Sequence, residues 1–191
     1  MKKILTYITA TVLILVGLSL PIISRSQAST TQVRGLAPAA SNASHNALID
    51  PATIQGVPRQ IIIPKINLDI AVAPGYYDPN SKTWNVSQSM AHYATITPPA
   101  NTKSGNTFIY GHNLDSVFGR LPQLALGDSM LLKTDTGHTL SYRLTSVRET
   151  SPFDDRLFYY SGPAMVTLQT CSGLFDQNRT HYSFALTGIV E

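Results

Sequence analysis

The sequence predicts a mainly β protein whose strands form a closed or nearly closed barrel. Short apolar runs rich in β-branched residues recur from Val57 onward. Gly, Pro, Asn and Asp separate these runs, and apolar residues at helical spacing are nearly absent. Many short strands with such turn residues between them are typical of barrels and differ from the pattern of layered α/β folds. We therefore expect a β-barrel domain with only short helices.

Residues 1–23 are predicted to be a membrane anchor. Two lysines precede an apolar stretch from Ile4 to Ile23, in which Thr and Ser are the only polar residues. A helix of this length covers roughly 30 Å, enough for the core of a bilayer. The lysines favour a cytoplasmic amino terminus, which places the rest of the chain outside the cell. A signal peptide cleaved near Ser26-Gln27-Ala28 is the alternative.

Residues 24–56 are predicted to be a flexible tether, and residues 57–191 to be one folded domain. The tether is rich in Ala, Ser, Thr, Asn and Pro, so it buries too little surface to offset the entropy of ordering. The net charge of +3 comes from the first 56 residues, because ten basic residues balance ten acidic ones from Val57 onward. A neutral domain without a basic stripe argues against nucleic acid as a partner.

Seven segments combine β-branched or alternating apolar residues with flanking turn residues. The predicted strands are 61–63, 66–72, 107–110, 129–133, 139–149, 164–170 and 182–190. A turn at Asp135–His138 is expected to join two of them as a hairpin. Helical turns are expected near Ser89–Tyr93 and from Ser116 to Leu124.

Cys171 is the single cysteine of the sequence and ends an apolar run. An exported protein meets oxidising conditions, where paired cysteines form disulfides. A single cysteine closes no intramolecular disulfide, so it indicates an intermolecular link or a reactive thiol. Arg179, eight residues later, would favour the reactive thiolate. The alternative is a buried cysteine that packs as a small apolar residue.

His112 follows the predicted strand 107–110, at a position where a rigid scaffold can hold a reactive side chain. A histidine at such a position is more often structural than catalytic. Here a cysteine ends a second strand and an arginine lies beyond it. Residues that are distant in sequence become neighbours in a barrel, and a nucleophile needs a base within hydrogen-bond reach.

Three segments resemble the signature motifs of the sortases, which are cysteine transpeptidases of the Gram-positive cell surface. They are Tyr110-Gly111-His112-Asn113, Thr167-Leu168-Gln169-Thr170-Cys171 and Arg179. The likeness covers nearly all of residues 57–191, and an anchor followed by a tether is the usual sortase layout. Residues 171–176 most resemble class F sortases, with Ser172 in place of a glycine. The resemblance implies a sortase-like closed barrel of about eight strands.

The resemblance also implies a mechanism. Cys171 would attack the threonine carbonyl of an LPXTG-like sorting signal and form a thioester, with His112 as the acid and base. Arg179 would donate hydrogen bonds to the oxyanion or to the substrate backbone. An amine of a peptidoglycan precursor or a pilin lysine would then accept the secreted protein. The resemblance implies no cofactor and no metal, and a single-pass membrane protein with an extracellular catalytic domain.

Two other functions stay open from the sequence. An L,D-transpeptidase is also an extracytoplasmic cysteine enzyme on a β fold, but its Ser-His-Gly-x-x-Gly-Cys motif has no counterpart here. A membrane-tethered β domain that binds surface proteins without catalysis is the third class.

Four other polar features have less specific interpretations. His92 is interpreted as structural or groove-lining, and His181 as a weak second site candidate because it is close to Arg179. The Asp154-Asp155 pair is interpreted as a solvated loop, since the six or more oxygen ligands of a calcium site cannot be assembled. Arg179 lies six residues before Ala185, which is more than in many sortases. A β-bulge between them would restore the aim of the Arg179 side chain; otherwise Arg179 would be a solvated loop charge.

Overall fold

The structure is a computed structural model and describes residues 53–190. The predicted anchor at 1–23 and residues 24–52 of the predicted tether lie outside the described residues. Among residues 53–190, no helix has the length and apolar character needed to cross a membrane. These residues form twelve strands and four short 3₁₀ helices.

The strands vary from two to thirteen residues in length. They are β1 (Gln55–Gly56), β2 (Pro58–Ile63), β3 (Leu68–Gly75), β4 (Tyr77–Asp78), β5 (Thr83–Trp84), β6 (Ala91–Ala94), β7 (Ala100–Asn101), β8 (Asn106–Tyr110), β9 (Ser129–Thr134), β10 (Thr139–Thr150), β11 (Met165–Ser172) and β12 (Asn178–Val190). The 3₁₀ helices are Pro64–Ile66, Leu121–Gln123, Arg156–Tyr159 and Leu174–Asp176.

Eight strands close into a barrel in the order β10-β12-β11-β8-β6-β3-β2-β9. The pairs β3–β6 and β8–β11 are parallel, and the other pairs of the barrel are antiparallel. Closure leaves no open sheet edge. This architecture confirms the predicted mainly β fold with a closed barrel and short helices.

Successive side chains of each strand point alternately into the barrel and away from it. In β11, Val166 and Leu168 belong to the buried core, where they join residues such as Tyr182 and Phe184 of β12. The alternate residues Gln169 and Cys171 therefore lie on the outer face of the barrel. The same alternation places the side chain of Arg179 on the outer face of β12.

A second, smaller apolar cluster covers part of that outer face. Phe108 and Tyr110 of β8 form its base, and Trp84 and Phe158 pack against it. The Phe108 and Phe158 rings meet edge to face at 4.6 Å, and the Trp84 and Tyr110 rings at 5.3 Å. The β4–β5 hairpin and the helix Arg156–Tyr159 therefore pack on the outer surface of the barrel and form two walls above it.

Two local predictions differ from the structure. The helical turn predicted at Ser89–Tyr93 is wrong, because Ala91–Ala94 is a strand that pairs with β3 on one side and β8 on the other. All four residues of this strand are buried, so no alternation marks it in the sequence. In addition, Gln55 and Gly56, which were assigned to the tether, pair with β7 in the folded domain. The helical turn expected at 116–124 corresponds in part to the 3₁₀ helix Leu121–Gln123.

Candidate active site

The parallel pairing of β8 with β11 brings His112 to Cys171. Gln169 is paired with Tyr110, and the Gly111 amide donates to the Gln169 carbonyl at 3.1 Å, so the ladder continues beyond the end of β8. His112 and Cys171 each lie two residues beyond the Tyr110–Gln169 pair, so continuation of the ladder places them side by side at the spacing of neighbouring strands, about 4.8 Å. Both side chains are half-buried and line the same groove.

Gly111 lets the chain before His112 pack closely on the loop that follows. A Cβ atom at this position would lie 2.7 Å from Val117 Cγ1 and 3.1 Å from the Phe118 ring, so a larger residue would require these side chains to shift. The Phe118 amide also donates to the His112 carbonyl at 3.1 Å. The loop after β8 therefore packs tightly on the barrel, and the imidazole stands on a fixed backbone.

Antiparallel pairing of β11 with β12 places Arg179 directly opposite Cys171. The register is unbroken from Met165–Ala185 to Ser172–Asn178, so this pairing contains no β-bulge between Arg179 and Ala185. No bulge is needed, because six residues is an even interval and leaves both side chains on the same face. The alternative of a loop arginine is also wrong, since Arg179 lies within β12.

The three side chains share one groove with a volume of about 590 Å³. His112, Cys171 and Arg179 lie along it, together with the amide side chain of Gln169. Six aromatic residues also line the groove. The aromatic residues are Tyr77, Trp84, Phe108, Tyr110, Phe153 and Phe158. An apolar groove with a few convergent polar groups is the usual form of a binding site.

The electrostatics of Cys171 favour a resting thiol. Burial raises the pKa of the Cys171 thiol above its ordinary value, the nearby Arg179 guanidinium opposes this, and Asp176 adds to it. A pKa raised above that of a free thiol means that little thiolate exists at neutral pH. The nucleophile therefore requires an adjacent base, and His112 is the imidazole beside it.

Arg179 is held by its own turn. Its Nη1 donates to the carbonyls of Asp176 and Asn178, both at 2.9 Å. Among the described residues, no protein group accepts from Nε or Nη2. The N–H groups of Nε and Nη2 can therefore donate hydrogen bonds to an oxyanion or a peptide carbonyl, while Nη1 fixes the guanidinium.

Glu149 of β10 ties together the residues that flank Cys171 and Arg179. Its carboxylate accepts from Asn178 Nδ2 at 2.6 Å and from Ser172 Oγ at 3.3 Å. The turn between these two residues contains Phe175 and Asp176 at φ of 59° and 58°, a left-handed backbone that is costly for both. Glu149 thus holds a strained turn closed at its base. No local sequence signal marks this role.

His92 and His181 lie outside the groove lining. His92 is buried and stacks on the Tyr110 ring, with centroids 5.7 Å apart, which fits the structural interpretation. His181 is buried on β12, and its Nε2 lies 2.9 Å from Gln169 Oε1. Because this oxygen only accepts, the imidazole carries its proton on Nε2 and fixes the Gln169 side chain. Gln169 was not predicted as a site residue. The signal that could have identified it is its position two residues before Cys171, which places both side chains on the same face of a strand.

Asp154 differs from its prediction as a solvated loop residue. Only 13% of its side chain is exposed, and Arg156 donates to it from Nε at 2.8 Å and from Nη2 at 2.6 Å. This pairing lowers the pKa of the Asp154 carboxyl to about 2. Asp155 is exposed, as expected.

Comparisons with known proteins identify the family and the fold of the chain. Residues 61–185 match the sortase domain family model. Sortase C1 of Streptococcus agalactiae, in a complex with MTSET, superposes with a TM-score of 0.58 and 21% identity over 72% of each chain. Sortase C1 of Streptococcus suis gives 0.58 and 20%, over 71% of this chain and 74% of that one. None of the curated proteins matches the chain.

A third structure, sortase C of Streptococcus pneumoniae, has a TM-score of 0.56 and 19% identity, over 67% of this chain and 65% of that one. At these identities the likeness shows a shared fold. The likeness of residues 171–176 to class F stays a prediction. The family match spans most of the described residues and includes His112, Cys171 and Arg179. The chain therefore belongs to the sortase family of cysteine transpeptidases.

Proposed function

We propose that this sortase cleaves an LPXTG-like sorting signal between Thr and Gly and joins the threonine to an amine. The observation that supports this most directly is the adjacency of Cys171, His112 and Arg179 in one groove. The three groups supply a nucleophile, an acid–base group and a cationic hydrogen-bond donor. Acyl transfer to an amine needs these three roles.

In the first half of the reaction, the Cys171 sulfur attacks the threonine carbonyl carbon as its proton passes to the His112 imidazole. Arg179 stabilises the negative charge that develops on the carbonyl oxygen. The C–N bond to glycine breaks when His112 protonates the leaving amine. The product is a thioester between threonine and Cys171.

In the second half, an incoming amine attacks the thioester carbon. His112 takes the amine proton, the C–S bond breaks, and the thiol regains a proton. A new amide forms and the enzyme returns to its starting state. The same histidine serves as acid and then as base, as microscopic reversibility requires.

The groove suits an extended peptide with apolar residues before the scissile bond. Its two walls, the β4–β5 hairpin and the helix Arg156–Tyr159, rise from the barrel beside the β8 and β11 side chains. Aromatic rings along it would contact leucine and proline side chains of the signal. The substrates would be secreted proteins with a carboxy-terminal signal, and the acceptor a peptidoglycan precursor or a pilin lysine.

We further propose that residues 1–23 anchor the protein in the cell membrane as a single pass. The tether would then hold the catalytic domain on the outer side, where secreted substrates and cell-wall acceptors are found.

A peptide cleavage assay tests the proposal. Fluorogenic peptides containing LPXTG-type and LAXTG-type signals are incubated with the protein, with and without an added amine. We expect hydrolysis in the absence of the amine and a joined product in its presence. Stoichiometric binding of the peptides with no turnover would instead favour a non-catalytic surface-binding domain.

Substitution of Arg179 by lysine is expected to lower kcat about 100-fold, because an ammonium cannot reproduce the guanidinium geometry and a lost oxyanion donor costs roughly this factor. Steady-state cleavage kinetics measure the effect. The matched control is Arg143→Lys, which changes an exposed arginine of β10 outside the groove and should keep wild-type kinetics. Wild-type kcat for Arg179→Lys would assign Arg179 a purely structural role.

Substitution of Glu149 by alanine is expected to lower kcat about tenfold with a small change in KM, because the turn loses the contact that fixes Cys171 relative to Arg179. Glu149→Gln, which retains one acceptor oxygen, should recover part of the rate. Asp69→Ala, at another exposed carboxylate, controls for the loss of surface charge. Unchanged kcat in Glu149→Ala would show that the turn keeps its geometry without the clamp.

A further inference from the structure

A second cavity of about 380 Å³ lies on the outer face of the barrel beside the catalytic groove. We call it the side pocket. Its polar lining consists mainly of Ser146, Arg148, Thr150, Arg156, His181 and Ser183. The cross-strand pairs Ser146–Ser183 and Arg148–His181 of β10 and β12 form its floor, and the chain between β10 and β11 forms its wall.

The charge around the side pocket is predominantly positive. The guanidiniums of Arg148, Arg156 and Arg179 and the carboxylate of Asp154 all act on the His181 imidazole. Asp154 is already bound by Arg156 through two hydrogen bonds. Within residues 53–190, no carboxylate lies within 4.0 Å of the Arg148 or Arg179 guanidinium. The guanidiniums of Arg148 and Arg179 therefore lie near the side pocket without a carboxylate partner. The one carboxylate that lines the side pocket, Asp154, is neutralised by Arg156.

His181 connects the side pocket to the catalytic groove. Its side chain lines the side pocket, while its Nε2–H donates to Gln169, which lines the groove. Burial lowers the pKa of His181, the three guanidiniums lower it further, and Asp154 opposes them. The ring is therefore neutral at neutral pH. An anion bound in the side pocket would favour protonation of Nδ1 and raise this pKa.

The side pocket lies within reach of the thioester. Thr150, Arg179 and Cys171 are successive cross-strand neighbours on β10, β12 and β11. Thr150 borders the side pocket, so its edge is about 10 Å from Cys171 at two strand spacings. Asp154 lines both cavities, which are therefore neighbours on the barrel surface.

We propose that the side pocket binds a carboxylate or phosphate group of the amine acceptor and so directs the acceptor amine toward Cys171. This inference rests on the proposed function, because it assigns a binding site to the second substrate of the transfer. The anionic group would be paired with Arg148 and hydrogen-bonded by the Thr150 hydroxyl, at the edge of the side pocket nearest Cys171. The acceptor would carry this group about 10 Å from its amine, and the chemical step is unchanged.

The first experiment detects anion binding without catalysis. Inorganic phosphate and acetate are titrated separately into full-length Cys171→Ala protein, and the His181 Cε1–H NMR signal is followed against pH. The signal is assigned with His181→Gln. We expect phosphate, acetate or both to raise the His181 pKa saturably, an effect that Arg148→Gln abolishes. Arg143→Gln, an equal change on the same strand outside the side pocket, should keep it.

A His181 pKa that responds to neither anion, or responds equally in Arg148→Gln, would overturn the anion site. Which of the two anions binds more tightly identifies the acceptor group as phosphate or carboxylate. This readout is independent of any sorting-signal peptide.

The second experiment compares triglycine with triglycinamide as acceptors in the transfer reaction. The two differ only in the terminal carboxylate, which lies about 10 Å from the amine in extended triglycine. We expect transfer to triglycine to be about fivefold faster, as for a charge-assisted contact that is partly exposed. The ratio should approach one in Arg148→Gln and stay near its wild-type value in Arg143→Gln.

Equal transfer to both acceptors, despite anion binding in the first experiment, would overturn the assignment of the side pocket to the acceptor. Failure of the wild-type protein to cleave any sorting-signal peptide would instead contradict the proposed function. The NMR result would then still decide whether the side pocket binds anions.

Discussion

Replacement of Cys171 by alanine is expected to abolish both peptide cleavage and amine transfer. In the proposed reaction the sulfur forms the covalent bond to threonine, and Cys171 is the single cysteine of the sequence. Loss of a covalent nucleophile typically costs a factor of about 10⁶ in kcat, which is below the detection limit of a peptide assay. Fluorogenic cleavage and mass detection of the joined product measure the two activities.

The control for this variant is its stability. Cys171 is half-buried on the outer face of the barrel and lies outside the main core, so the alanine variant should melt close to the wild-type temperature. Substitution by serine keeps the shape of the side chain with a far weaker nucleophile, and it should also be inactive. Wild-type turnover by either variant would exclude Cys171 as the nucleophile.

Replacement of His112 by alanine is expected to lower kcat by a factor of about 10² to 10⁴, the range of general acid–base catalysis. The loss should be larger than for Glu149→Ala, because His112 transfers protons in both halves of the proposed reaction. Cleavage rates measured with and without an added amine separate the two halves.

His181→Asn is the matched control for the loss of an imidazole. His181 lies outside the groove lining, so this change should affect cleavage far less than His112→Ala does. Equal losses in the two variants would mean that His112 acts through the fold and has no direct part in proton transfer.

The residues of the site could be predicted from sequence because their chemistry is local. A single cysteine at a strand end, a histidine after Tyr110-Gly111 and a nearby arginine are visible without coordinates. Their adjacency depends on the parallel register of β8 and β11, which joins segments about sixty residues apart. Turn residues and alternation mark strands, but they do not determine which strand lies beside which.

The supporting contacts could not be predicted for the same reason. Glu149 lies 23 residues before Ser172 and 29 before Asn178, and only the closed barrel brings the three together. Strand β6 was mistaken for a helical turn because both of its faces are covered, which removes the alternation on which the prediction depends. Asp154 was predicted to be solvated because the sequence does not show that its side chain pairs with Arg156 and is largely buried in the folded loop.

The position of β12 between β10 and β11 has a consequence for how the enzyme matures. It is the last strand of the described residues, pairs with a strand on each side, and carries Arg179. The segments that carry His112 and Cys171 both precede β12 in the chain. Until β12 pairs, the cysteine strand has an open side and no guanidinium opposite the sulfur. A partly folded protein in which β12 is unpaired would thus lack the cationic donor of the proposed reaction, so transfer depends on completion of the barrel.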